Sequence, residues 1–162
     1  MPRLFDAYVI VDWSAAAKPT SGANSIWIGT LTRTAGGATR FSSQNPTTRL
    51  AARQVLKDLI EKLVTRGDKV LVGFDFAFGY PAGTAAAANL PQANQAPWSA
   101  MYGLLSANGE EREDNSNTRF EIAANLYMAI SQRPHPFWGT PKSRQTPNLA
   151  MKKGDFSWPG LA

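Results

Sequence analysis

The sequence predicts an α/β fold: a three-stranded antiparallel meander, a crossover helix, a fourth strand parallel to the first, and a helical C-terminal half. Three observations carry this. Two short aliphatic runs, Tyr8-Val9-Ile10-Val11 and Val70-Leu71-Val72-Gly73-Phe74, have the length and composition of buried strands. Each run ends on an aspartate, Asp12 and Asp75. Between them lie two alternating segments and then a long stretch of helical period, the order that a crossover requires.

Residues 7–12 read as the first strand, and the Pro- and Gly-containing stretch from Ala15 to Gly22 as a loop. Ser25 to Thr32 alternates and reads as the second strand. Ala35-Gly36-Gly37-Ala38 is a tight turn into a third strand, Thr39 to Ser42. The helix that follows is expected to start at Asn45 as cap with Pro46 in its first turn, and to end at Gly67. Ala52, Val55, Leu56, Leu59, Ile60 and Leu63 recur at helical spacing and form its buried face. Residues 69–75 are the fourth strand. Phe78 to Gly83 reads as a turn, and short helices are expected near Ala85–Ala88 and Pro97–Leu105. Glu110-Glu111-Arg112-Glu113-Asp114 reads as a solvated loop, and Thr118–Gln132 as a clear helix. Beyond Arg133 no strand is evident. The ending at Pro159-Gly160-Leu161-Ala162 leaves the sheet short of strands, so the expectation is one domain over residues 1–162, incomplete at its C-terminus.

Composition narrows the chemistry. Of 162 residues 43% are hydrophobic and 18% charged, the balance of a globular chain with a real core. No apolar run is long enough to span a bilayer, and Met1-Pro2-Arg3-Leu4 leads straight into a strand without a secretory leader. There is no cysteine and one histidine, His135, so disulfides, thiolate sites and two-imidazole chemistry are excluded. The expectation is a cytoplasmic protein. Any metal would be held by oxygen, which favours Mg²⁺ or Mn²⁺. The net charge is +5. The segment 110–114 has one arginine against four acids, hence −3, which leaves +8 elsewhere. That surplus suits an anionic small molecule, a nucleotide or a nucleic acid, although it also serves solubility.

Carboxylates at strand ends are rarely a choice of packing. If strands one and four are neighbours, Asp12 and Asp75 emerge together at the carboxyl edge of the sheet, where ligand crevices of open α/β sheets lie. Together they suit one or two divalent cations; alone, each is a turn-capping Asx residue. Ser14 returns to the face of Asp12 and suits a phosphate or a metal-bound water, with a turn cap as the commoner role. Phe74, Phe76 and Phe78 flank the second carboxylate, and Tyr80 is placed to stack a ring. Glu121 and Asn125 lie one turn apart on the late helix. Glu121 is either a third carboxylate or half of a capping box with Thr118. Arg119 either clamps an anion or answers the acidic loop. Lys142, Arg144, Lys152 and Lys153 alternate with Phe137, Trp138, Phe156 and Trp158. This tail suits a nucleic acid or a surface for self-association.

The order strand-Asp, strand, strand, helix, strand-Asp resembles the ribonuclease H-like superfamily. Val11-Asp12-Trp13-Ser14-Ala15-Ala16, Asn24-Ser25-Ile26-Trp27-Ile28-Gly29 and Phe74-Asp75-Phe76-Ala77-Phe78-Gly79-Tyr80-Pro81 look closer to one bacterial branch of it. Arg119-Phe120-Glu121 and Pro136-Phe137-Trp138-Gly139 also look like this branch. Its members often carry the label molybdopterin-guanine dinucleotide, or cobalamin, biosynthesis protein. The resemblance implies divalent metal on Asp12 and Asp75 and phosphodiester cleavage or phosphoryl transfer. The labels imply instead a non-catalytic nucleotide or pterin-cofactor binder in molybdenum cofactor biosynthesis. The chain departs from a ribonuclease H where that enzyme has a glutamate at the start of the crossover helix. Here the turn reads Pro46-Thr47-Thr48-Arg49, and Asp58 and Glu61 fall deeper in the helix.

Overall fold

Alternation in Ala7–Asp12 sends Ala7, Val9 and Val11 to one face of a strand and Tyr8, Ile10 and Asp12 to the other. A computed structural model, described over residues 4–34, 36–91, 95–133, 138–144 and 146–152, builds the sheet on that alternation. Its strands are β1 (Ala7–Asp12), β2 (Trp27–Arg33), β3 (Thr39–Gln44) and β4 (Val70–Phe74), in the order β3-β2-β1-β4. β1 pairs antiparallel with β2, β2 antiparallel with β3, and β1 parallel with β4. The meander and the parallel fourth strand are therefore as expected. The helices are α1 (Arg49–Thr65), α2 (Thr84–Ala87), α3 (Pro97–Asn108) and α4 (Arg119–Ile130), with a 3-10 turn at Lys142–Arg144. The C-terminal half is thus helical among the described residues.

The described residues form two compact units. One comprises Met1–Phe76 with Glu111–Ser116, the other Ala77–Glu110 with Asn117–Ala162.

In the first unit α1 covers one face of the sheet. Ala52, Leu56 and Leu63 meet Ala7, Val9, Val11, Ile26 and Ile28, with Val55, Leu59, Val70, Val72 and Phe74 packed around them. The opposite face keeps Ile10, Leu31, Phe41 and Leu71 exposed. Two expectations about α1 need correction: Asn45 is not its cap, and Pro46 precedes its first turn. Its cap is Thr48, whose Oγ1 accepts from the Ala51 N–H at 3.2 Å. Asn45 instead closes the preceding turn: its Oδ1 accepts from the Gly22 N–H at 2.8 Å and its Nδ2 donates to Ser25 Oγ at 2.7 Å. The same turn holds Ser25 out of β2. At the other end Gly67 (φ +90°) stops the helix as expected. Its N–H reaches Val64 O and the Asp68 N–H reaches Leu63 O, the paired bonds of a left-handed glycine cap.

In the second unit Ala85, Ala88, Met101 and Leu126 form the core, with Leu90, Leu104, Ile122 and Ile130 around it. On α4 Leu126 and Tyr127 are buried, Ile122 and Ile130 are partly buried, and Ala129 is exposed.

Candidate metal centre

Parallel pairing of β1 with β4 runs from Ala7 opposite Val70 to Val11 opposite Phe74. The next residue on each strand is an aspartate. The ladder continues one step further, because the Asp75 N–H donates to Val11 O at 3.3 Å. The Asp75 side chain then folds back over the end of β1, and its Oδ1 accepts from the Trp13 N–H at 2.9 Å. Asp12 and Asp75 are therefore neighbours at the carboxyl edge of the sheet, and both are exposed. Among the described residues no three His, Cys, Asp or Glu side chains gather as a metal site. The candidate site is a pair of carboxylates.

Aromatic rings wall this edge. Trp13 stands edge-on to Phe74 and to Phe76, each at 6.3 Å between centroids, and Phe74 and Phe76 lie 4.9 Å apart. Phe74 packs against the core of the first unit, whereas Phe76 is exposed. Asp12 lies opposite Trp27 in the antiparallel register, on the face that α1 does not cover. The Trp27 indole is fixed by its Nε1–H donating to Gly22 O at 3.0 Å.

The loop after Asp12 is held from beneath. Ser14 Oγ donates to Asn24 O at 2.9 Å and accepts from the Ala16 N–H at 3.2 Å. The hydroxyl is thus a turn tie, the commoner of its two expected roles. Arg49, only 5% exposed, sends Nη1 to Ala16 O at 2.7 Å and to Ser14 O at 3.3 Å. Its Nη2 pairs with Glu111 Oε1 at 2.6 Å and also donates to Asn115 O. Asn115, buried and left-handed (φ +67°), accepts from the Arg49 N–H at 2.8 Å through Oδ1. Its Nδ2 donates to Lys18 O at 3.1 Å and Thr47 O at 3.3 Å. One asparagine thereby satisfies an orphan N–H in the first turn of α1 and clamps two loops.

This corrects the reading of the acidic segment as merely solvated. A buried guanidinium needs a counter-charge, and Glu111 supplies it from a sequence distance that no local pattern encodes. Arg49 thus answers Glu111 across the first unit. Neither Arg49 nor Asn115 stood out in the sequence; the only signal was the acid-free helix start Pro46-Thr47-Thr48-Arg49.

The remaining candidate residues belong to the second unit. Glu121 and Asn125 are both exposed on α4. The capping box is not formed. Thr118 Oγ1 instead donates to Asn108 O and accepts from the Glu110 N–H, both at 2.9 Å. Arg119 lies over the Phe120 ring at 4.9 Å, with Arg144 over the same ring at 5.8 Å. Tyr80 is exposed beside Tyr102, whose hydroxyl donates to Phe78 O at 2.8 Å. In the tail Trp138 and Lys152 are exposed, while His135, Phe137, Lys153, Phe156 and Trp158 lie outside the described residues. No described helix is long and apolar enough to cross a membrane. No family model, curated protein or solved structure matches the chain.

Two phenols of this unit are shifted upward. Loss of water lifts the Tyr80 hydroxyl above its ordinary value, with nearby Tyr102 adding to the effect. Burial lifts Tyr127 likewise, with Tyr80 adding. A folded-state value raised above the unfolded one leaves stability intact below pH of about 10 and removes it as pH rises through the shifted range. Alkaline titration followed at the phenolate absorbance band is therefore expected to contain a late component. Tyr80→Phe should diminish it and move alkaline unfolding to higher pH; a single step at the ordinary phenol value would contradict this.

Proposed function

We propose that Asp12 and Asp75 bind a divalent cation, Mg²⁺ or Mn²⁺. On this reading the chain is a metal-dependent phosphoryl or phosphodiester hydrolase or transferase, acting on a nucleotide or nucleic acid from a ribonuclease H-like sheet. The observation that carries the reading is the fold-back of Asp75 onto the Trp13 N–H at 2.9 Å, which sets two exposed carboxylates at adjoining strand ends. Mg²⁺ favours one or two carboxylates with water and phosphate oxygens completing its shell, so a two-acid site suits it. Such an ion polarises a phosphoryl oxygen and lowers the pKa of a bound water. The chain's own part is to place the two carboxylates, with the Trp13 N–H holding one oxygen of Asp75 and leaving the other for a ligand. Ser14 is a tie for the loop and is not the nucleophile.

The test is turnover of oligonucleotides and of a chromogenic phosphodiester with Mg²⁺ or Mn²⁺. Asp12→Asn and Asp75→Asn should each lower the rate at least about 100-fold while folding survives. Full activity in either variant would refute the assignment.

A second reading, binding of a nucleotide or pterin nucleotide without turnover, is favoured by the helix start. Arg49 stands where a third carboxylate would serve catalysis, and Glu111 already neutralises it. Saturable, chelator-resistant binding of a pterin nucleotide with no hydrolysis under either metal would decide for this second reading.

A further inference from the structure

Two cationic side chains of the second unit share one aromatic ring. The Arg119 guanidinium lies 4.9 Å from the centroid of Phe120, and the Arg144 guanidinium 5.8 Å from the same centroid. Both distances are within cation–π range. One cation on a ring is ordinary packing. A second is not, because each like charge opposes the approach of the other. Among the described residues no carboxylate pairs with Arg144 to relieve this.

Both arginines sit on anchored backbone. Arg119 is the first residue of α4, and Ile122, one turn on, packs against the core of the second unit. Arg144 ends the 3-10 turn, where its N–H donates to Pro141 O at 2.8 Å. The flanking chain is tied as well: the Thr140 N–H donates to Ala150 O at 3.1 Å, and Leu149 is buried. Folding therefore brings two arginines that are distant in sequence to one ring.

A guanidinium lying over a ring uses its flat face there and keeps its in-plane N–H donors for another group. We infer that Arg119 and Arg144 form a clamp for a phosphate group. A single guanidinium fork engages both oxygens of a carboxylate. A phosphate offers tetrahedrally arranged oxygens, so it can serve two forks that approach from different directions. Lys142, exposed in the same 3-10 turn, adds a third positive charge. Glu121, exposed in the first turn of α4, works against an anion and tempers the affinity. The ligand is a phosphate, free or carried by a nucleotide strand. The inference stands apart from the metal reading, since neither Asp12 nor Asp75 takes part.

Anisotropy of a labelled single-stranded oligonucleotide, measured on the full chain in EDTA, tests the clamp without divalent metal. Arg144→Gln should weaken binding on the order of 10-fold and lower the slope of log affinity against log salt by about 0.7, the value of one lost phosphate contact. Arg144 is exposed, so this variant is expected to fold, and thermal unfolding checks it. Arg119→Gln should match it, and Glu121→Gln should tighten binding. Arg144→Lys should rescue little, since an ammonium lacks the fork. Arg53→Gln removes the same charge from the exposed surface of α1 and should change affinity less than about two-fold. Competition at constant ionic strength separates the sources. Displacement by inorganic phosphate supports a site for the free ion, and displacement by unlabelled strand alone supports a strand phosphodiester. Equal losses in Arg53→Gln and Arg144→Gln would reduce the effect to net charge and overturn the clamp. So would full rescue by Arg144→Lys, or a wild type that binds neither the strand nor inorganic phosphate.

Discussion

Arg49→Ala is expected to destabilise the first unit by about 3 kcal/mol or more, the low end of the cost of removing one partner from a buried ion pair. The low end applies because Glu111 keeps 29% of its side-chain surface in water, whereas Arg49 keeps 6%. The substitution also strips hydrogen bonds from Ser14 O, Ala16 O and Asn115 O. Arg49→Lys should not rescue it, since one ammonium cannot replace a planar fork that reaches four acceptors. Glu111→Gln should cost less, because the amide oxygen still accepts from Nη2. Denaturant unfolding of the three variants checks the order. Equal, small losses would mean that the buried network contributes little.

The second large effect concerns the carboxylates. Asp75→Asn keeps an oxygen for the Trp13 N–H and removes only the charge. Asp12 is exposed, and its replacement by Asn disturbs no packing. Each change should alter stability by no more than about 0.5 kcal/mol, as surface substitutions do. Each should nevertheless weaken Mn²⁺ binding by a factor on the order of 100, because half of the anionic site is gone. Titration of free Mn²⁺ by electron paramagnetic resonance reads this directly. Unchanged affinity in either variant would remove that residue from the site.

Much of this architecture was legible because it rests on local periodicity. Val9 and Val11 alternate with Ile10 and Asp12, α1 repeats its apolar residues at helical spacing, and Gly67 marks its end. The parallel pairing of β1 and β4 followed from a helix lying between a meander and a strand. What could not be read were the contacts made by polar residues far apart in sequence. Glu111 lies 62 residues from Arg49, and Asn115 lies 66 residues from it. Nothing in either neighbourhood announces the partner. The cap of α1 was misplaced for a related reason. Asn45 and Thr48 are both good capping residues, and only the tertiary demand of the 22–26 turn draws Asn45 away. The capping box on α4 likewise gave way when the Thr118 hydroxyl found Asn108 O.

These contacts bear on function because they support the edge of the sheet. Arg49 holds the carbonyls of Ser14 and Ala16, directly after the Trp13 N–H that orients Asp75. A loosened Arg49 network should therefore weaken Mn²⁺ binding as well as the fold. On the proposed reading the two neighbouring carboxylates form one cation site. A crystal of the chain soaked in Mn²⁺ and measured at the manganese absorption edge tests it most directly. Anomalous density is expected between the carboxylates of Asp12 and Asp75, with the Trp13 N–H still on Asp75 Oδ1. Density elsewhere only, or two carboxylates turned apart with no ion between them at saturating Mn²⁺, would contradict it.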